Sequence, residues 1–204
     1  MPKDKTASHL RIIAAMKAEF LEKGFENASV RSIAERANMS SAGLYRHYKD
    51  KEDMFDALIQ PLIDQINDWL EKHKKRKYAL AEKKADSGSL FGQSFTDLIK
   101  EVVYPNKEEF RLLLCCARGT KYENFIHDFV SAQQGELAEG IRYMKSRGYP
   151  AEEPLEEELH MLLSAYVSAM FEPVIHDYDE EKAMHCLDTI DKFFMPGWKH
   201  IMGL

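Results

Sequence analysis

The feature that most constrains the fold is a pair of short helix signals separated by a break of a few residues. The first signal begins at Ser29, a residue type favoured at helix N-caps, and its apolar residues recur at helical spacing as far as Ala37. After a break at residues 38–39, Ser40 offers a second cap. Two short helices joined this tightly, after a longer first helix that stops at "KGF", predict a helix-turn-helix.

The helix that follows Ser40 has two chemically different faces. One face is apolar and can pack against the preceding helix, the two sets being Met39, Leu44 and Tyr48 with Val30, Ile33 and Ala37. The other face presents Ser41, Ala42, Tyr45 and Arg46, and Gly43 leaves room for a close backbone approach. Hydroxyls and cations suit phosphates and base edges, and a small methyl group suits thymine. This face is therefore predicted to enter a DNA major groove.

The distribution of charge agrees with that prediction. The chain has 204 residues and a net charge of −6, from 28 Lys+Arg and 34 Asp+Glu. Residues 1–51 hold 10 of the basic and 6 of the acidic side chains, a net of +4, which leaves −10 for the remainder. A basic head on an acidic body is typical of a nucleic-acid-binding segment joined to a part with another role.

The rest of the chain also reads as helical. A fourth helix, which Asp50 can cap, contains Pro61, and later helices are predicted at residues 91–104, 107–118, 123–147, 156–177 and 179–202. "FFMPGW" is expected to kink or end the last helix. The basic run that follows the fourth helix is interpreted as a solvated helix end and a loop at residues 87–89, or alternatively as a nucleic-acid patch or localisation signal. The prediction is an all-α chain of about nine helices.

Several function classes are not supported by the composition. The longest charge-free apolar run has roughly 13 residues, too short to span a bilayer, and the start of the chain lacks the apolar stretch of a secretory signal. Three cysteines, two of them adjacent, favour a reducing cytoplasm and buried structural thiols over a metal or redox site. The sequence contains no glycine-rich phosphate loop and no nucleophile motif that would indicate an enzyme.

The segment "FLEKGFENASVRSIAERANMSSAGLYRHYKDKEDMF" resembles the signature of TetR-type (tetracycline-repressor-like) transcriptional regulators. The matching elements are "F..KGF", "SVRSIAE.A" and "S..GLY.HY..K", and they cover roughly the first quarter of the chain. The resemblance implies a helix-turn-helix DNA-binding domain at residues 1–51 and a helical ligand-sensing and dimerisation domain at 52–204. It implies a homodimeric repressor that a small molecule releases from a near-palindromic operator, with no cofactor and no metal. An activator or a ligand-independent regulator of the same fold, or an all-helical small-molecule enzyme, are the alternatives.

The resemblance also assigns DNA contacts, residue by residue. Tyr45 and Lys51 are expected to hold phosphates, and His47 to contact either phosphate or base. The full set expected to contact DNA is Ser29, Arg31, Ser40, Ser41, Ala42, Gly43, Tyr45, Arg46, His47 and Lys51.

Two further sets belong to the second domain. The last two helices each carry an apolar stripe, and the resemblance implies that these stripes form a two-fold four-helix interface; the residues chosen are Leu159, Leu162, Leu163, Tyr166, Leu187, Ile190 and Phe194. A segment rich in aromatic side chains and methionine is implied to enclose an apolar or aromatic inducer, or else to be ordinary core. The candidate ligand-binding residues are Phe95, Phe110, Leu114, Arg118, Tyr122, Phe125, Tyr166 and Met170.

Overall fold

The structure is a computed structural model that describes residues 5–82 and 93–204, with side chains for 7–75 and 95–204. All regular structure within those ranges is helical, which confirms the all-α prediction. The helices are α1 (Lys5–Asn27), α2 (Val30–Arg36), α3 (Ser41–Leu44), α4 (Lys51–Glu82), α5 (Gln93–Leu98), α6 (Lys107–Cys115), α7 (Phe125–Ser146), α8 (Glu156–Ile175) and α9 (Glu180–Ile201). A π-helical turn, Ile99–Val103, and a 3-10 turn, Tyr104–Asn106, join α5 to α6. The loop predicted at residues 87–89 lies outside the described residues.

The helix boundaries near the N-terminus follow the signals in the sequence. Gly24 interrupts α1 with φ 71° and ψ 164°, a conformation that glycine adopts without a steric penalty. Ser29, Ser40 and Asp50 each accept a hydrogen bond, 2.8 to 3.5 Å long, from the backbone N–H three residues later. The three predicted caps are therefore confirmed. In the turn between α2 and α3, Asn38 takes φ 55°, which asparagine tolerates better than most residues.

The described residues fall into two compact units. The first, called here the N-terminal unit, combines the chain as far as Ile66 with Asn106–Glu123. Its core contains an aromatic cluster, with the Phe20 and Phe55 rings edge to face at 5.1 Å and Phe25 at 5.4 Å from Phe55. Compactness thus groups α6 with the first helices, whereas the sequence prediction assigned α6 by chain position to residues 52–204.

Specific contacts hold the α6 segment within the N-terminal unit. The Phe25 N–H donates to the Cys116 carbonyl at 2.9 Å. The Lys17 ammonium pairs with Glu108 at 3.2 Å and also with Glu109. Phe110 is fully buried. The segment therefore contributes both apolar packing and polar contacts to this unit.

The second compact unit, the C-terminal unit, combines residues 67–105 with 124–204. Rings from α5, α7 and α8 cluster at its centre, with Phe95 5.8 Å from Phe129 and 6.0 Å from Phe171. Helix α9 continues through Pro196 and Gly197 to Ile201, so the final helix does not end at "MPG". Both residues are exposed there.

None of the described helices is long and apolar enough to cross a membrane. The three cysteines are free thiols, with Cys116 buried, Cys186 half-buried and Cys115 exposed. Burial raises the pKa of the Cys116 thiol, and the neighbouring Cys115 adds to that effect. Within the described residues, no group of three or more His, Cys, Asp or Glu side chains has an arrangement that could hold a metal ion.

Candidate nucleic-acid interface and candidate ligand cavity

Helix α3 and the turn after it present four neighbouring side chains to solvent. Ala42, Arg46 and His47 are exposed, and Tyr45 is 51% exposed. Leu44, between them in sequence, is completely buried against the preceding helices. The apolar residue fixes the orientation of this short helix, and the four exposed side chains share its outward face.

Ser41 and Gly43 are less accessible than the sequence suggested. Ser41 is half-buried and Gly43 is buried. A Cβ on Gly43 would lie 3.3 Å from the Met39 methyl carbon and 3.3 Å from the Ser40 hydroxyl. That hydroxyl is the N-cap of α3, so the absence of a side chain at Gly43 leaves room for the cap.

The predicted contacts on α2 are both on the surface. Ser29 is exposed although its hydroxyl caps the helix. The Arg31 side chain is exposed and its Nε donates to Glu35 at 2.9 Å, one helical turn further on. This surface pair has little stability to lose, so Arg31 can exchange Glu35 for a phosphate at low cost.

Lys51 has a different environment from the other predicted contacts. Its ammonium donates to three carbonyl oxygens at the end of α1, those of Phe25 at 2.7 Å, Glu26 at 3.0 Å and Ala28 at 3.3 Å. It also lies 4.5 Å from the centre of the Phe25 ring. An ammonium has three donors. A phosphate contact by Lys51 would therefore have to replace a bond that ties the start of α4 to the end of α1.

Glu19, a buried residue beneath α2, supports the predicted DNA-contacting residues of that helix and was not predicted from the sequence. It is 2% exposed and lies on α1, with its carboxylate directed at α2. It accepts hydrogen bonds from the Ser29 N–H at 3.1 Å and from the Ser32 hydroxyl at 2.6 Å, and it pairs with Arg36 Nε at 3.1 Å. One carboxylate therefore positions both ends of α2.

The environment of Glu19 favours its charged form. Burial acts to raise the pKa of this carboxyl, but the hydrogen bonds from Ser32 and Ser29 and the charge of Arg36 lower it below its usual range. The carboxylate is therefore ionised at neutral pH. A buried acidic residue at a helical position gave no signal in the sequence, because its partners come 10 to 17 residues later.

The C-terminal unit encloses a cavity of about 440 Å³, a size ordinary for small-molecule sites. Its walls come from α4, α5, α7, α8 and α9. They are mainly aromatic and aliphatic, and they include Trp69, His73, Phe95, Tyr166, Met195 and Trp198. The two tryptophans of the chain both lie in this wall.

Several polar groups of the wall are already paired within the protein. The Trp69 indole N–H donates to Glu101 at 2.7 Å, and its ring stacks on His73 with the ring centres 3.4 Å apart. The Tyr166 hydroxyl donates to Asp191 at 2.9 Å. Burial and the Asp191 charge raise the pKa of Tyr166 far above its ordinary value, so it stays a neutral donor.

The predicted ligand-binding residues divide between the two units. Phe95 and Tyr166 line the cavity. Phe125 and Met170 belong to the same unit but lie outside that lining. The Phe125 ring packs against Phe129 and Phe171, whereas Met170 is fully buried. The remaining four belong to the N-terminal unit; they are Phe110, Leu114, Arg118 and Tyr122.

Tyr122 takes part in a polar cluster of the N-terminal unit. Its hydroxyl bonds to Asp56 and lies 3.1 Å from the Gln60 side-chain oxygen, and Asp56 also pairs with Lys121 at 2.5 Å. Burial acts to raise the pKa of Asp56, but the hydrogen bonds from Lys121 and Tyr122 hold this pKa below its usual range. Arg118 lies nearby in sequence, with its Nε 3.4 Å from Glu26.

The residues predicted to form a dimer interface are mostly covered by their own chain. Ile190 and Phe194 are half-buried, Leu162 is exposed, and the buried members are Leu159, Leu163, Tyr166 and Leu187. Two apolar residues outside the predicted set are more accessible, Met161 of α8 at 63% and Phe193 of α9 at 78%. These two helices therefore have an uncovered apolar side in the described chain.

Comparisons with known proteins agree about the first part of the chain. A family model described as "Bacterial regulatory proteins, tetR family" matches residues 12–58. An uncharacterized HTH-type transcriptional regulator of Haemophilus influenzae is 30% identical over 147 residues, 69% of this chain and 65% of that protein. The HTH-type transcriptional repressor KstR2 of Mycobacterium tuberculosis is 40% identical over 55 residues, 27% of this chain and 26% of that protein. The chain covers less than two thirds of each of these relatives.

A likeness of fold extends much further along the chain. The crystal structure of a transcriptional regulator from Rhodococcus sp. Rha1 matches with a TM-score of 0.54 and 18% identity, over 92% of this chain and 96% of that one. At that level of identity the match shows the fold.

Proposed function

We propose that this chain is a DNA-binding transcriptional regulator of the TetR family, acting as a homodimeric repressor that a small molecule releases from its operator. The observation that carries the proposal is the outward face of α3, where Ala42, Tyr45, Arg46 and His47 are exposed beside a buried Leu44. Repression is supported by the printed name of KstR2, a repressor that shares 40% identity over 55 residues.

Each side chain of the interface has a chemical role in the proposal. Arg46, with Ser41 and Ala42, reads base edges, because a guanidinium pairs with guanine and a methyl group packs on thymine. Tyr45 donates its hydroxyl to a phosphate, as do the Ser29 and Ser40 hydroxyls when they approach the backbone. His47 contacts either a phosphate or a base edge. The net +4 of residues 1–51 adds a salt-dependent attraction that is independent of sequence.

For Lys51 we propose a positioning role in DNA binding. Its three carbonyl bonds fasten the start of α4 to the end of α1. Glu19 of α1 fastens the start of α2 to α1 through its bonds to Ser29 and Ser32. The charges of Lys51 and Glu19 thus hold α1, α2 and α4 in fixed positions before DNA binds. Such pre-organisation lowers the free-energy cost of binding.

The proposed dimer buries the uncovered apolar side of α8 and α9. Met161, Leu162 and Phe193 are exposed and apolar, and a patch of exposed apolar side chains is a mark of protein–protein interaction sites. A second copy of this chain fits best, because two helix-turn-helix motifs about 34 Å apart read successive major grooves of a near-palindromic site.

The proposed inducer is an apolar or aromatic small molecule held in the cavity of the C-terminal unit. Release is a population shift, since a ligand that binds one conformation better raises the share of that conformation. The chain passes between the two units after Ile66, after Pro105 and after Glu123, the first time within the continuous helix α4 that also contains Pro61. These crossings provide covalent routes for coupling.

The test is selection of bound DNA from random duplexes at two salt concentrations. A two-fold symmetric motif is expected from the wild type. Tyr45→Ala should lose most of the affinity for that motif, whereas Tyr149→Ala, which removes an exposed tyrosine from the C-terminal unit, should retain it. Enrichment of no motif, with binding that disappears as salt rises, would refute a specific regulator.

A further inference from the structure

The indole N–H of Trp198 is a polar group of the cavity wall that has no partner in the described part of the chain. Trp198 is 6% exposed and lines the cavity, yet its indole N–H makes no hydrogen bond to any residue that the structure describes. Tryptophans that lie in a protein interior usually donate this hydrogen to a partner, and the Trp198 nitrogen is not itself enclosed by protein atoms, so it remains accessible to a small molecule. We infer that the N–H of Trp198 opens onto the cavity and is satisfied by the bound ligand.

The second tryptophan of the wall shows the ordinary arrangement. The Trp69 N–H donates to Glu101 at 2.7 Å, so this indole offers the cavity only its ring. The Tyr166 hydroxyl is likewise committed to Asp191. Unlike Trp69 and Tyr166, Trp198 therefore has a donor left for a guest molecule.

The charges of the wall indicate what kind of acceptor the ligand carries. The charged residues of the lining are Glu71, Lys74 and Glu136, and Lys74 pairs with Glu136. With one cation against two carboxylates, the wall disfavours an anion, and moving a carboxylate into an apolar cavity without a partner is costly. A neutral carbonyl or ether oxygen accepts the Trp198 hydrogen bond without that penalty.

We propose that the ligand is an uncharged, mainly aromatic or apolar molecule with a carbonyl or ether oxygen that accepts a hydrogen bond from Trp198 Nε1. This inference rests on the proposed function, in which the cavity is the inducer site. Most of the other lining residues are apolar, with Phe95, Met195 and Met202 among them. They supply affinity, and Trp198 supplies the preference for an oxygen.

The test compares three probes that share one naphthalene ring. 2-Acetylnaphthalene carries a neutral carbonyl, 2-isopropenylnaphthalene has the same shape without the oxygen, and 2-naphthoate carries a charge. Their dissociation constants are measured by calorimetry on the full chain, for wild type, Trp198→Phe and Trp69→Phe. The ratio of isopropenyl to acetyl dissociation constants should fall about fivefold in Trp198→Phe, the effect of one neutral hydrogen bond. It should be unchanged in Trp69→Phe, whose indole N–H is already used.

A second readout needs no variant. The infrared carbonyl stretch of bound 2-acetylnaphthalene should move to lower frequency than in alkane if an indole donates to it. A ratio unchanged in Trp198→Phe, an unshifted carbonyl band, tighter binding of 2-naphthoate than of the ketone, or no binding of any probe would each overturn the inference. Operator binding by the same preparations separates the two proposals. If the wild type binds operator DNA but the ligand inference fails, the proposal of a transcriptional regulator still stands. If the wild type does not bind operator DNA, that proposal is contradicted as well.

Discussion

Replacing Glu19 by alanine tests whether one buried carboxylate holds the recognition elements together. The carboxylate is 2% exposed and receives the Ser29 N–H, the Ser32 hydroxyl and the Arg36 guanidinium. Alanine leaves these three donors without their acceptor. Two of them lie at the N-terminus of α2, so the expected effect is a loss of stability together with a misplaced helix-turn-helix.

The size of the effect follows from the burial of the group. Removing one partner of a buried ion pair typically costs about 3–5 kcal/mol, and a hydrogen bond to a charged group contributes about 1.5–3 kcal/mol. These figures overlap because the same contacts are counted in both. Arg36 reaches solvent and keeps Glu22, so the lower end applies. We expect Glu19→Ala to lower the free energy of unfolding by about 3 kcal/mol, a large share of the roughly 5–15 kcal/mol typical of domains.

The assay is urea unfolding followed by circular dichroism, with Glu22→Ala as the matched control. Glu22 lies on the same helix and also pairs with Arg36, but it is a surface residue. Its removal should change the unfolding midpoint little. Equal midpoints for Glu19→Ala and Glu22→Ala would refute the reasoning, since burial is the difference between the two carboxylates.

The same residue predicts a dependence on pH. The pKa of Glu19 is lowered in the folded chain, from a reference value of 4.5. Its stabilisation is therefore fully present above about pH 4.5 and is lost as the pH falls through the lower pKa of the folded state. The stability difference between wild type and Glu19→Gln should be constant from pH 7 to 5 and shrink in more acidic solution. A difference that grows on acidification would contradict the direction of the pKa shift.

Two further changes separate roles that the structure distinguishes. Lys51→Met should weaken operator binding while leaving its dependence on salt unchanged, because the ammonium binds backbone carbonyls and not a phosphate. The measurement is an anisotropy titration at several salt concentrations. A fall of about 1 in the salt slope would instead show a phosphate contact. Phe193→Asp should convert the protein to a monomer in sedimentation velocity, because this ring is 78% exposed on α9. Leu10→Asp, at an apolar residue of α1 that is 63% exposed, is the matched control and should leave the mass unchanged.

The sequence predicted best what depends on neighbouring residues. Ser29, Ser40 and Asp50 cap their helices through a backbone N–H three residues away, and Gly24 ends the regular part of α1 at the predicted position. Such signals are local, so no knowledge of the tertiary structure is needed to read them. The outward face of α3 follows from the same short-range pattern.

Long-range contacts explain the features that the sequence did not reveal. Glu19 acquires its role from the approach of α2, and a helical pattern treats it as one more surface acid. Periodicity also finds the apolar stripe of a helix without showing which part of it the same chain covers. It therefore selected Leu187, which is fully buried, and passed over Phe193, which is exposed. The Trp198 donor is visible only once its surroundings are known.

The interleaving of the N-terminal unit limits how such proteins can recombine. Because α6 and the residues as far as Glu123 pack with the first helices, a chimera joined after residue 51 would replace Phe55, whose ring packs against Phe20 and Phe25, and the buried Phe110. The exchangeable cassette is discontinuous, made of the chain to Ile66 plus Asn106–Glu123. Transplanting a DNA specificity by a single crossover thus breaks a hydrophobic core, whereas substituting the exposed side chains of α3 leaves it intact.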